Sequence, residues 1–146
     1  MNELARMISI HSSRGGTGKS LIASNLAAIL ASKGLNVALL DFDFRAPSLL
    51  TIFQAENGSH SYLNDYFDGK AKLGEVMVDL SKSLGSDGML RVGFADVEMN
   101  AMRDIAKRDR KWQTRALKKV LRFKEELSDL MDADLILADT TPGIQY

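Results

Sequence analysis

Ser13-Arg14-Gly15-Gly16-Thr17-Gly18-Lys19-Ser20 is the stretch on which the fold turns. Before it lies a short β-branched run, Met7-Ile8-Ser9-Ile10-His11, that reads as a strand. After it comes Lys19 to Lys33, rich in Ala and Leu, free of Gly and Pro, and stopped by Gly34, which reads as a helix with a glycine C-cap. A glycine loop between a strand and a helix can turn successive backbone N–H groups into one concavity and cradle phosphate oxygens. The glycines permit the dihedrals and the close approach. The helix N-terminus adds its positive dipole end, Lys19 can reach the terminal phosphates, and the Ser20 hydroxyl can meet Mg²⁺.

Outward from the loop, the pattern repeats strand and helix. Asn36 to Asp41 is apolar at successive positions, as expected of a parallel strand buried on both faces. Pro47 and Ser48 open a short helical stretch through Phe53, and Ala55 to His60 reads as a polar loop. Tyr62 to Phe67 and Leu73 to Leu84 are expected as short helices. Ser86-Asp87-Gly88 reads as a turn, and Met89 to Phe94 as a third strand. Trp112 to Met131 is expected as one long amphipathic helix, with Trp112, Ala116, Val120, Phe123, Leu127 and Met131 at helical spacing. Asp134 to Asp139 is a fourth buried strand, followed by Thr140-Thr141-Pro142-Gly143. Such alternation implies an α/β domain, with right-handed crossovers and a parallel sheet sandwiched by helices. Residues 1–146 read as a single domain that stops just after a buried strand, like the first part of a longer one.

The glycine loop departs from the strict phosphate-loop pattern, which wants glycine where Ser13 sits; basic–Gly–Gly–x–Gly–Lys–Ser fits instead. That pattern resembles the deviant Walker A motif of the MinD/ParA superfamily of SIMIBI-class P-loop ATPases. Leu40-Asp41-Phe42-Asp43 resembles the family's switch I, and Asp139-Thr140-Thr141-Pro142-Gly143 its switch II or Walker B region. The resemblance implies Mg·ATP/ADP binding with slow hydrolysis, coupled to a nucleotide-dependent homodimer that serves positioning, partitioning or assembly. It places the nucleotide on Ser13, Arg14, Gly15, Gly16, Thr17, Gly18, Lys19, Ser20 and Leu21. Lys19, Asp43 and Arg14 take catalytic roles, with Asp43 orienting water. Ser20, Asp43 and Asp139 hold Mg²⁺, with Asp41 supporting its water shell. Arg14 stands where the family has the lysine that reaches across the dimer, and a planar guanidinium is not equivalent to an ammonium there. A chain that binds nucleotide without turnover, as an interaction module, is therefore the alternative. Asp41-x-Asp43-x-Arg45 with Pro47-Ser48 also resembles the second Walker motif of bacterial tyrosine kinases. By the same resemblance the strand Met7 to His11 is central, so here one of its edges is expected to be open.

Composition narrows the rest. The chain has 146 residues, 45% hydrophobic and 26% charged, as in ordinary globular domains. It has no cysteine, which removes disulfides, thiol nucleophiles and cysteine-zinc sites; two histidines are too few for a histidine-built metal site. His11 and His60 read as structural or solvated. No signal-peptide pattern opens the chain and no apolar run is long enough to span a membrane, so a cytoplasmic protein is expected, peripheral at most to nucleoid or membrane. The 19 basic and 19 acidic residues cancel unevenly. Arg103 to Lys124 carries ten basic residues against Asp104 and Asp109, a local +8 balanced by −8 elsewhere. On a helix, Arg108, Lys111, Arg115, Lys118, Lys119 and Arg122 share one face, a candidate surface for DNA, an anionic membrane surface or an acidic protein.

Overall fold

The computed structural model describes residues 5–11, 18–56 and 60–140. In chain order come β1 (Arg6–Ile10), α1 (Lys19–Ser32), β2 (Val37–Phe42), α2 (Leu49–Ile52), α3 (Leu63–Phe67), α4 (Leu73–Val76) and β3 (Met77–Asp79). They are followed by α5 (Ser81–Leu84), β4 (Leu90–Gly93), α6 (Met99–Ala106), α7 (Arg110–Leu121), α8 (Phe123–Met131) and β5 (Leu135–Thr140). The strands form one sheet in the order β1-β5-β2-β4-β3, parallel except for β3, which runs antiparallel to β4. The expected α/β architecture is thus present, with β5 inserted between β1 and β2.

Side chains alternate across a strand, so each central strand feeds two cores. Val37 and Leu39 of β2, Leu90 and Val92 of β4 and Leu137 of β5 pack on the side of α1, against Ala23, Ala27 and Ala31. Ala38 and Leu40 of β2 and Ile136 of β5 face the other layer, built from Phe123, Leu127 and Met131 of α8 with Phe67, Leu73 and Val76. The alanines bring α1 close to the sheet. On the opposite side an aromatic cluster fills a thicker layer, in which Phe123 stacks on Tyr66 at 5.5 Å and Phe67 meets Trp112 at 6.2 Å. The Tyr66 hydroxyl donates to Glu126 at 2.8 Å, and burial together with that carboxylate raises the phenol's pKa.

Three segments differ from the sequence expectation. Leu73 to Leu84 is a helical turn, the edge strand β3 and a second helical turn. Val78 pairs with Val92 of β4, an alignment that no local pattern announces. Trp112 to Met131 is two helices rather than one, parted at Arg122, where the Arg122 N–H donates to the Lys119 carbonyl three residues back. The apolar spacing runs through the break, but the environment does not: Phe123, Leu127 and Met131 are buried, whereas α7 has no buried residue. Finally α6 is a helix in a stretch between Phe94 and Trp112 for which the sequence reading names no element, and it takes in Arg103, where the basic segment begins. Gly88 earns its place by close approach: a Cβ there would stand 2.1 Å from the Leu35 carbonyl oxygen.

Candidate phosphate and metal site

The two-residue period that sends Val37 and Leu39 toward α1 also sends Asp41 there, and the period that sends Leu137 there sends Asp139. Asp41 and Asp139 are in register on adjacent strands, and Ile10 of β1 is in register with Asp139 on the other side. The α1-facing row of the sheet therefore turns from hydrocarbon to carboxylate at its C-terminal edge. That edge is where open parallel sheets place their ligands. Helix α1 begins beside it. Gly18 takes φ +78°, a left-handed conformation that side chains disfavour, and its carbonyl accepts the Ile22 N–H at 2.9 Å. The next residue, Lys19, is buried, and its ammonium forms an ion pair with the equally buried Asp139 Oδ1.

The three carboxylates are held differently. Asp41 is wholly buried, and both its oxygens are committed to backbone: Oδ1 accepts the Asp43 N–H at 3.1 Å and Oδ2 the Leu49 N–H at 3.4 Å. Its structural work is to fold the 43–49 segment over the strand end. Burial pushes its pKa up to about 7, against the pull of those amides; the Asp43 charge adds to the rise and Lys19 opposes it. Asp43 is buried too, and its Oδ1 accepts the Ala46 N–H at 3.2 Å. Asp139 is the open one: its Oδ2 is buried with no hydrogen-bond partner among the described residues. A buried acceptor left without a donor is costly, and a cation or water would satisfy it. Burial lowers the pKa of Lys19, while the charges of Asp43 and Asp41 hold it up.

Of the residues the sequence singles out, Gly18, Lys19, Ser20, Leu21, Asp43 and Asp139 are described; Ser13, Arg14, Gly15, Gly16 and Thr17 lie outside the described residues, as do residues 141–143 of the motif after β5. Lys19, Asp41, Asp43 and Asp139 converge at the strand ends. Ser20 is half-buried on the first turn of α1, and Leu21 is 54% exposed. No group of three His, Asp or Glu among the described residues is placed to hold a metal ion by itself. Mg²⁺ keeps several waters and takes one or two carboxylates plus phosphate oxygens, so one open carboxylate oxygen fits it better than a full protein cage.

The basic face divides in two. Lys111, Arg115, Lys118 and Arg122 are exposed. Arg108 and Lys119 are turned inward: Arg108 pairs with Asp68 at 2.8 Å, and Lys119 donates to the Tyr66 and Phe67 carbonyls at the end of α3. Trp112 anchors its helix through its indole N–H to Asp68 at 2.8 Å. Nothing in the sequence pairs Asp68 with residues 40 and 44 positions downstream.

The fold is shared with several solved structures. MinD from Pyrococcus horikoshii, solved with Mg-ADP, superposes with a TM-score of 0.72 at 25% identity, over 97% of this chain and 51% of that one. The kinase domain of the Escherichia coli tyrosine kinase ETK superposes with a TM-score of 0.66 at 24% identity, over 94% of this chain and 47% of that one, a likeness of fold alone. In sequence, the chain is 31% identical over 142 residues to the cytosolic Fe-S cluster assembly factor CFD1 of Saccharomyces cerevisiae, an alignment taking in 96% of this chain and 43% of the yeast protein. The chain thus spans less than half the length of that relative. No helix among the described residues is long and apolar enough to cross a membrane. A buried Lys19 that follows Gly18 and meets a strand-end carboxylate, this fold and a family match over residues 3–144 agree: the chain belongs to the ParA family of P-loop NTPases, by the description "NUBPL iron-transfer P-loop NTPase".

Proposed function

We propose that this chain binds Mg·ATP, hydrolyses it slowly and uses the nucleotide to switch a homodimer on and off in the service of an assembly reaction. The observation that carries the reading is the convergence of Lys19 with Asp139 and Asp43 where α1 begins, with one Asp139 oxygen unsatisfied among the described residues. Lys19 and the loop amides of residues 13–18 bind phosphate, and for Lys19 to reach it the contact to Asp139 must open. Ser20, Asp43 and Asp139 are the residues that would hold Mg²⁺, which when bound supplies charge neutralisation at the phosphates. Asp43, whose Oδ1 holds the following turn, would orient water.

Among positioning, partitioning and assembly, the name of the yeast relative favours assembly. An Fe–S cluster handled as cargo would find no cysteine ligand here, because these 146 residues contain none. They make up the nucleotide-driven part of such a reaction. The exposed cations Lys111, Arg115, Lys118 and Arg122 would receive an anionic partner, and the setting is the cytoplasm. Arg14 supports a second reading, a nucleotide-binding module without turnover, since an arginine replaces the lysine expected to act across the dimer.

Calorimetric titration of Mg·ATP tests the first reading. Saturable heat that disappears in Lys19→Ala, with circular dichroism unchanged, is the expected result; a folded wild-type chain that gives no heat overturns it. Phosphate release separates the two readings. Turnover that falls on Lys19→Ala supports the switch, and binding without release until Arg14→Lys restores it supports the module.

A further inference from the structure

Away from the strand ends, the end of α3 and the start of α7 enclose a cleft of about 450 Å³. Its floor is Phe67 and Trp112, and its charged lining is Lys70, Arg108, Arg115 and Lys119 against the single acid Asp68. The lining therefore carries a net +3. Asp68 is already spent, since one oxygen accepts from Arg108 and the other from the Trp112 indole. Lys119 is partly spent on the two α3 carbonyls and lies 4.9 Å over the Tyr66 ring. Arg108, packed 5.6 Å over the Trp112 ring, keeps a buried Nε with no acceptor among the described residues. Lys70 and Arg115 are exposed at the mouth and have no ion pair among the described residues. A carboxylate that fixes one arginine and the tryptophan, leaving further donors aimed into a concavity, is an arrangement for receiving an anion.

We propose that this cleft binds a phosphomonoester at a site separate from the nucleotide site, sharing only Arg115 at its mouth with the outer face of α7. The charge selects the class: a single carboxylate would leave most of the +3 unbalanced, whereas a phosphomonoester near neutral pH brings almost two negative charges and three acceptor oxygens. Guanidinium forks match those oxygens in pairs. The aromatic floor accommodates the apolar part of the ester.

Trp112 is the sole tryptophan, so its fluorescence reports the cleft directly. The probes are glycerol 3-phosphate and vesicles of phosphatidic acid in phosphatidylcholine, with Mg·ADP present to occupy the glycine loop. Pure phosphatidylcholine vesicles and succinate are the controls. The expected result is a saturable change with either probe, weakened about tenfold by Arg115→Gln and by Lys70→Gln, the size of one charge-assisted hydrogen bond. With glycerol 3-phosphate, Lys111→Gln and Lys118→Gln, which remove the same charge from the same helix outside the cleft, should leave the response within about twofold. A response to glycerol 3-phosphate assigns a soluble ester, and a response to phosphatidic acid vesicles alone assigns a lipid headgroup. No response to either probe, an equal response to succinate, equal weakening of the glycerol 3-phosphate response by Lys111→Gln and Arg115→Gln, or a vesicle response that Lys70→Gln leaves unchanged overturns the proposal.

Discussion

Helix α1 covers one face of the sheet, whereas α7 lies against α3 and α8 on the other side, and the two are fastened by different means. Helix α1 is fastened through Ala23, Ala27 and Ala31, all fully buried, so its backbone lies close to the strands and its first residue reaches the carboxylates at their ends. Helix α7 buries no residue fully and is fastened at its edge, by Trp112 and Arg108 on Asp68 and by Lys119 on the end of α3. Their outward faces differ too. Leu21, Ile22, Leu26 and Ile29 stand 37–60% exposed on α1, whereas α7 presents Lys111, Arg115 and Lys118. Small residues buy close approach where chemistry needs sub-ångström placement; polar tethers suffice where a helix only has to stay on the surface.

The largest mutational effects lie on the α1 side. Lys19→Ala leaves Asp139 buried without its partner and should cost about 3–5 kcal/mol in urea unfolding. Adding Asp139→Asn should return most of that loss, and a double variant no better than the single one would break the account. Next in size is a pH effect from Asp41. Its folded pKa, about 7, lies above the ordinary carboxylate value of 3.8, so the native state holds the proton more tightly. The contribution is full below about pH 4 and is lost as pH rises through about 7, a fall on the order of a few kcal/mol. Asp41→Asn should flatten that part of the stability–pH curve, and an unchanged slope would remove Asp41 as its source.

Packing comes third. Ala27→Leu should cost about 1–3 kcal/mol because there is no room between α1 and the sheet. Ala116→Leu on α7 should stay within about 0.5 kcal/mol, and similar denaturation midpoints for the two would erase the distinction. Fourth, Asp68→Ala removes the acceptor of both the Trp112 indole and the Arg108 pair, which is partly exposed and screened. The expected loss is about 1–2 kcal/mol, seen as a lower thermal midpoint. The smallest effect is on the outer face of α1. Ile22→Lys and Ile29→Lys should change stability by no more than about 0.5 kcal/mol while raising solubility. A cost above about 1 kcal/mol would mean that this apolar face is covered in solution.

How far the sequence carries can be judged from single residues. Glycine spacing and the flanking run of β-branched and helix-forming residues identify the loop, because a backbone turn that cradles phosphate demands particular residue types. The period of two along Val37-Ala38-Leu39-Leu40-Asp41 and Leu135-Ile136-Leu137-Ala138-Asp139 is enough to set both carboxylates on one face at one edge. These are local properties, encoded within a few residues. The edge strand β3, the break at Arg122, the pairing of Lys19 with Asp139 across 120 residues and the engagement of both Asp41 oxygens by the 43–49 turn are not local. Each depends on which element the tertiary structure brings alongside. The same holds for Arg108, Lys119 and Asp68: sequence periodicity puts the cations on one helical face, but only packing decides which of them turn inward to α3 and which remain free to meet an anion.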